Sequence, residues 1–512
     1  MGTCLTFEFF LPTEHELSSL FLGESLQHPG DCPEAVTMIE WLSQSTLMRP
    51  DIPDWLEEIG ERLSNNDPRM TTLELTHYRV DDAQARFLAG KLQQNTTVNI
   101  LLLSCYNMID DGPVAIAAVL KGSQTIQKIQ LRDLRNAREA TIFFEALSAA
   151  EQLEELSLRN NHMNTTSGKK FYELLASHRC LQEVRLVDCQ MSGTALSQVS
   201  FGVQSSLKLR RLHLINTEIT GDYGGRCLGD MVRHNSTLHE LCLAENNLGD
   251  EGTTQLTDGL MKNSSIKTLD LRSNEIGHAG SSSLSAFIKK SKSLATLILG
   301  ANRIGDKGAE VLAQGLRVCG LCKIDLSDNG IGPLGAKAVA AMLLENNSLR
   351  EINMSFNFIG DIGATSIATV LDANTTLRSL SIRRIQMSND GAHALGQQLP
   401  RMRGLKELIM TQNKVDQIGA LALLEGVRRN MELENLHIES KVSEPILREI
   451  IHWIRLNKAG RRVFRDSKLP VPVWPDVLSK LSVNADLDVM YHFVSEKPDV
   501  YRYAHPIKAL GC

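Results

Sequence analysis

The order of apolar and polar positions along the chain is periodic. Leu238-xx-Leu241-x-Leu243-xx-Asn246-x-Leu248 aligns with Ile266-xx-Leu269-x-Leu271-xx-Asn274-x-Ile276 after a shift of 28 residues. The frame restarts at Leu294, Leu321, Leu349, Leu377, Leu405 and Leu433. Backwards it runs through Leu209, Leu181, Leu153, Ile126, Val98 and Met70. Fourteen units result, 27 to 29 residues apart, with repeat 1 starting at Met70. A sustained period of this length outranks local propensity in assigning structure.

Each unit has two halves. In the first, Leu-x-Leu alternates, which predicts a short strand with leucines on one face and the intervening residues on the other. The Asn that follows, at 161, 246, 274, 302, 329, 357 and 413, is placed to bond turn backbone groups that burial would leave unpaired. The second half has helical spacing. A Gly at 252, 280, 308, 335, 363, 391 and 419 is expected to open the helix, and apolar residues follow four and eight positions later, as with Leu256 and Leu260. Ala309, Ala336, Ala364, Ala392 and Ala420 come next to that Gly, where a helix must approach its strand.

One unit cannot bury its own apolar stripe, whereas stacked units share a continuous core. Strands pack about 4.8 Å apart and helices about 8 to 10 Å apart, so the helices are driven to the outside of a curve. The expected fold is therefore α/β: a right-handed solenoid, or horseshoe, of about 14 repeats, with a parallel sheet on the concave face and helices outside. The repeats span 70–456. Residues 1–69 and 457–512 are expected to form helical caps over the apolar ends, and Trp41, Trp55, Trp453 and Trp474 all lie outside the strand-helix units of the middle.

The 28-residue unit, with Asn-x-Ile before a Gly-containing helix, resembles the ribonuclease-inhibitor-like class of leucine-rich repeat, also found in NOD-like receptors and Ran-type GTPase activators. That resemblance implies a binding surface without fixing the partner. The chain lacks a Gly-x-x-x-x-Gly-Lys-[Ser/Thr] motif, so it departs from NOD-like receptors in having no nucleotidase signature. Its C-terminal segment, with Val473-Trp474-Pro475 and Lys497-Pro498-Asp499, is similar to one in repeat proteins of diatoms and related microalgae.

Composition agrees with a folded chain: 42% hydrophobic and 22% charged residues. Aromatics supply only 5%, which suits thin layers built from Leu, Ile and Ala. A net charge of −6 implies neither nucleic acid nor an anionic membrane as partner. No apolar run reaches about 18 residues, so no transmembrane helix is expected. Ten irregularly spaced cysteines suggest reduced thiols and a cytoplasmic location. Arg461, Arg462, Arg465 and Lys468 read as a solvated basic connector, or more sharply as a nuclear-import signal. Met1-Gly2-Thr3-Cys4 matches a minimal acylation pattern, and Gly2 with Cys4 would supply the two lipid signals that membrane anchoring needs.

Other short motifs are absorbed by the frame. Gly330-Ile-Gly332-Pro-Leu-Gly335 matches a dinucleotide loop, yet Ile331 and Gly335 are repeat positions and no ribose-binding acid follows. Cys319 and Cys322 flank the frame residue Leu321, with no second pair to complete a metal site. Of the Asn-x-Ser/Thr sites at Asn95, Asn164, Asn235, Asn263, Asn346 and Asn374, five fall in turns that precede a strand. No catalytic, cofactor or metal residues are assigned.

Function then rests on the side chains that the frame turns outward from the sheet. These 42 positions hold eight basic and nine acidic residues. Repeats 3 to 6 present Lys128, Arg132, Arg159, Arg185 and Arg211 against Glu155 and Glu183, while later repeats are mainly acidic. Val187 and Ile215 stand among the arginines beside His213. Apolar anchors ringed by Arg are a hot-spot arrangement. The expected function is a non-enzymatic scaffold that binds an acidic, partly apolar protein through Arg159, Arg185, Val187, Arg211, His213 and Ile215. A Ran-type GTPase regulator and a lipid-anchored immune-type sensor are the alternatives.

Overall fold

The computed structural model describes residues 52–461 except 135, 440 and 460. The chain divides into two units, Met1–Pro53 and Asp54–Cys512. All but two residues of the first lie outside the described residues, as do Gly2, Cys4 and most of 457–512.

Within the second unit, fourteen parallel strands form one sheet in strict repeat order, from Thr72–Leu75 to Asn435–His437. The sequence frame is also the hydrogen-bonding register. Leu241 pairs with Leu269 and Leu269 with Leu297, so each frame position lies beside its equivalent in the next repeat. A helix follows every strand and packs against the helices of adjacent repeats. This is the α/β solenoid of about 14 repeats that the period predicts.

The frame leucines are the core. Leu238, Leu241, Leu243, Leu248, Leu256 and Leu260 of repeat 7 are each at most 1% exposed. The five alanines near the helix starts are fully buried. Helix Asp54–Ser64 precedes the first strand and buries Leu56 and Leu63 at that end, where Trp55 stacks on Tyr78 at 4.3 Å. At the other end, helix Glu444–Lys458 completes repeat 14. Arg461 just beyond it departs from the expected solvated connector. It is only 4% exposed, and its guanidinium lies 4.2 Å from the centre of the Trp453 ring, where an aromatic face attracts a cation. Arg462, Arg465 and Lys468 lie outside the described residues.

The Asn positions reach further than the turn that contains them. Asn302 donates to Leu271 O of the preceding repeat at 3.0 Å and to Leu299 O at 2.9 Å, and its Oδ1 accepts from Asn274 N and Ile276 N. Asn246 and Asn357 bond in the same way. A second file of Asn, at 95, 235, 263, 346, 374 and 430, ties its pre-strand turn to a carbonyl at the end of the helix one repeat earlier, as in Asn346 to Leu316 O at 2.6 Å. Five of these six are sequon residues, and their amide nitrogens are committed to those carbonyls.

The glycine expected to open each helix lies inside its first turn. The helices start two or three residues earlier, at Gly249, His278, Gly305, Pro333, Gly360, Asn389 and Gln417. At His278, Pro333 and Asn389 the start is fixed by a cap delivered from the preceding repeat. Asp250 Oδ1 accepts from Gly277 N and Gly280 N, Asp306 Oδ1 from Gly332 N and Gly335 N, and Asp361 Oδ1 from Ser388 N and Gly391 N. A Cβ at Gly335 would stand 2.7 Å from Asp306 Oδ1, so a larger residue there would push the capping carboxylate aside.

Candidate functional site

The strands of repeats 4, 5 and 6 are Glu155–Arg159, Glu183–Val187 and Arg211–Ile215, and each is five residues long. Their register sets three rows across the sheet. Arg159, Val187 and Ile215 form one row; Ser157, Arg185 and His213 form the next; Glu155, Glu183 and Arg211 form the third. All six residues expected from the sequence therefore share one patch. Val187, Arg211 and Ile215 are half-buried, Arg159 and Arg185 are exposed, and His213 is buried.

Glu183 organises the patch. Its side chain is only 4% exposed and accepts Nε of both Arg185 and Arg211. Burial works to raise its carboxyl, but the hydrogen bonds and positive charge of Arg211 and Arg185 hold it below the usual range. Each guanidinium keeps its Nη donors after committing Nε, and the arginine side chains remain 49% and 41% exposed. Arg159 lies 3.3 Å from Asp188, and Lys128 pairs with Glu155. The face is thus less positive than the sequence count suggests. Asp188 sits one residue past the last outward position of its strand, so a count confined to strand positions misses it.

His213 Nε2 is 3.7 Å from Glu183 and 3.8 Å from Glu240, too far for a hydrogen bond to either, and no other partner meets it among the described residues. Burial and then the Arg185 charge lower its pKa, against the opposing pull of Glu240 and Glu183. A shallow depression of about 240 Å³ adjoins the patch, lined by Leu102, Lys128, Glu155, Glu183 and Arg185 among others.

Chemistry elsewhere is sparse. No group of three or more His, Cys, Asp or Glu able to hold a metal occurs among the described residues. Cys319 is buried with its thiol pKa raised by burial, Cys322 is exposed, and both are free thiols. At Gly330–Gly335 the two backbone donors that would meet a phosphate are taken by Asp306. Among the described residues no helix is long and apolar enough to cross a membrane.

The stacked strand-helix units define a leucine-rich repeat protein. The family model described as "Leucine Rich repeat" matches residues 234–254, 262–285, 290–313, 321–340 and 345–368, mainly in repeats 7 to 11. No curated protein sequence matches the chain. Among solved structures it is similar to the yeast Rad7–Elc1 complex, at 16% identity over 80% of this chain and 96% of that one, with a TM-score of 0.40. It is similar to the TLR13–ssRNA13 complex at 17% identity, covering 69% of this chain and 52% of that one, with a TM-score of 0.41. An internalin (inlF) from Listeria monocytogenes gives 18% identity, 68% and 88% coverage and a TM-score of 0.38. At these scores the likenesses bear on neither partner nor chemistry.

Proposed function

We propose that the chain is a non-enzymatic scaffold of the ribonuclease-inhibitor-like subclass. Its sheet face over repeats 3 to 6 docks an acidic, partly apolar protein surface. The observation that carries this reading is the juxtaposition of Arg159, Val187 and Ile215 in one cross-strand row beside Arg185, Arg211 and His213. Val187 and Ile215 supply apolar contact, and the Nη donors of Arg185 and Arg211, oriented by Glu183, meet carboxylates of the partner. Pre-ordering by Glu183 lowers the entropy cost of fixing two long side chains on binding. The subclass assignment is supported by the 27 to 29 residue spacing and a full helix in nearly every unit. A cytoplasmic location belongs to the same proposal and is supported by seven free cysteines among the described residues. No observation favours the GTPase-regulator or lipid-anchored reading.

Site-specific photocrosslinking tests this. A photoreactive residue in place of Val187 or Ile215 should crosslink a protein from an extract of the source cell, while one at Leu421 on the helical side should not. Equal crosslinking from both sides, or none from the sheet, contradicts the proposal.

A further inference from the structure

The loop edge of repeats 10 to 12 breaks the repeat's own rules at three points. First, the residue before the ladder position, which holds Asn in most repeats, adopts positive φ in repeat after repeat. Asn160, Asp188, Asn216, Glu245, Ser273, Ala301 and Asp328 all do so, and in repeat 11 the position is Phe356 at φ 59°. A bulky aromatic is disfavoured in that region, where Asn and Asp are the enriched side chains. Second, repeat 12 has Ile385 where Asn stands in repeats 7 to 11 and 13, so Asn357 N and Ile359 N lack the side-chain acceptor that Asn357 gives to Asn329 N and Ile331 N. Third, Arg383 and Arg384 lie 5.4 and 5.7 Å from the Phe356 ring centre, and neither takes part in an ion pair among the described residues. Arg383 Nε is buried without a hydrogen-bond partner.

Exposed apolar side chains gather at the same edge. Phe358 is 60% exposed, and Leu334 and Ile362, in the first turns of adjacent helices, are 73% and 71% exposed. The charge along the edge also changes sign. In repeats 5 to 10 the acids Asp188, Glu218, Glu245, Glu275 and Asp328 outnumber Arg272 and Arg303, which pair with Asp270 and Glu275, and Arg383, Arg384 and Lys414 follow in repeats 12 and 13. A long polyanion lying along this edge would run into the acidic series. A short acidic segment would not.

We infer that Phe356, Phe358, Leu334 and Ile362, with Arg383 and Arg384, form a second docking surface, for a short protein segment that carries carboxylates beside an aromatic or leucine side chain. The Phe356 ring holds both guanidiniums near one place, and Phe358, Leu334 and Ile362 supply the adjoining apolar contact. Charge complementarity selects the occupant. The surface lies on a different set of loops from the Arg185–Ile215 patch, so it stands or falls separately from that reading.

Fluorescence anisotropy with labelled short peptides tests it. The first probe alternates Asp and Glu around one Phe, the second replaces its acids with Asn and Gln, the third is a phosphoserine peptide without Phe, and the fourth is a single-stranded oligonucleotide. The first should bind saturably, and the other three should bind at least about tenfold more weakly. Arg383→Glu with Arg384→Glu, and separately Phe358→Ala, should each weaken the first probe about tenfold while circular dichroism stays that of the wild type. Phe356→Asn should also weaken it without lowering the melting temperature, which separates a binding role from a structural one. No saturable binding of the first probe, tighter binding of the phosphopeptide or oligonucleotide, or binding unchanged in the three variants would each overturn the inference.

Discussion

Asn302 and Asn413 show how a single residue ties one repeat to the next. Both donate to carbonyls of their own and the preceding repeat, and both accept two backbone N–H groups. They differ in surroundings, since Asn302 is buried and Asn413 half-buried. Each unpaired buried polar group costs about 1 to 3 kcal/mol. Asn302→Ala should therefore lower urea-derived stability by about 3 kcal/mol, and Asn413→Ala should cost less because water can reach the vacated groups. At this scale the sequence was informative: the Asn file was visible, and only its reach into the preceding repeat was not. It did not reveal the burial of Glu183, because period two turns residue 183 outward and only the packing of Arg185 and Arg211 over it explains its 4% side-chain exposure.

Two buried histidines, His213 in the patch and His178 in the turn after helix Thr165–Ser177, give a signed expectation together with Glu183. His213 and His178 have pKa values lowered chiefly by burial, so the unfolded chain binds more protons than the folded one below about pH 6.5. Their contribution is present above that pH and is lost as pH falls through the folded values. Glu183, also lowered, adds a further loss below its ordinary value of 4.5. The urea midpoint should fall between pH 7.5 and 5, and His213→Gln should flatten part of that slope. A midpoint that rises towards pH 5 would contradict the sign.

Among elements, the helices of repeats 6 and 7, Gly221–His234 and Gly249–Leu260, pack through glycine. A Cβ on Gly259 would stand 2.0 Å from Gly229 O, a backbone atom that cannot step aside. Gly→Ala in a helix ordinarily gains roughly 1 kcal/mol of propensity. Here Gly259→Ala should instead destabilise by about 2 kcal/mol in chemical denaturation, because the helices must separate. Helix starts were the least legible elements in the sequence. At Gly280, Gly335 and Gly391 the periodic Gly marks the backbone N–H that receives Asp250, Asp306 or Asp361 from the repeat before, and that acceptor lies 29 or 30 residues away, beyond the reach of a capping rule based on adjacent residues.

For the whole molecule, the period alone specified strand order, register and the side of the sheet each residue faces. Pairing offsets in the structure are the repeat spacings in the sequence, so every frame alignment was also a contact. The composition of the candidate patch was legible for the same reason. Its electrostatics were not, since Asp188 and the shared carboxylate of Glu183 offset much of the positive charge. That difference determines how the central claim is tested. Reversing Arg185 and Arg211 would strand the buried Glu183 among carboxylates, and breaking a buried pair costs about 3 to 5 kcal/mol, enough to confound binding with unfolding. Val187→Glu with Ile215→Glu spares that cluster and changes only half-buried side chains. The decisive measurement is quantitative affinity capture from the source cell with the wild type and this double variant at matched folded loading. A protein enriched by the wild type and lost with the variant is the predicted result; the same proteins recovered in equal amounts by both would contradict docking on repeats 3 to 6.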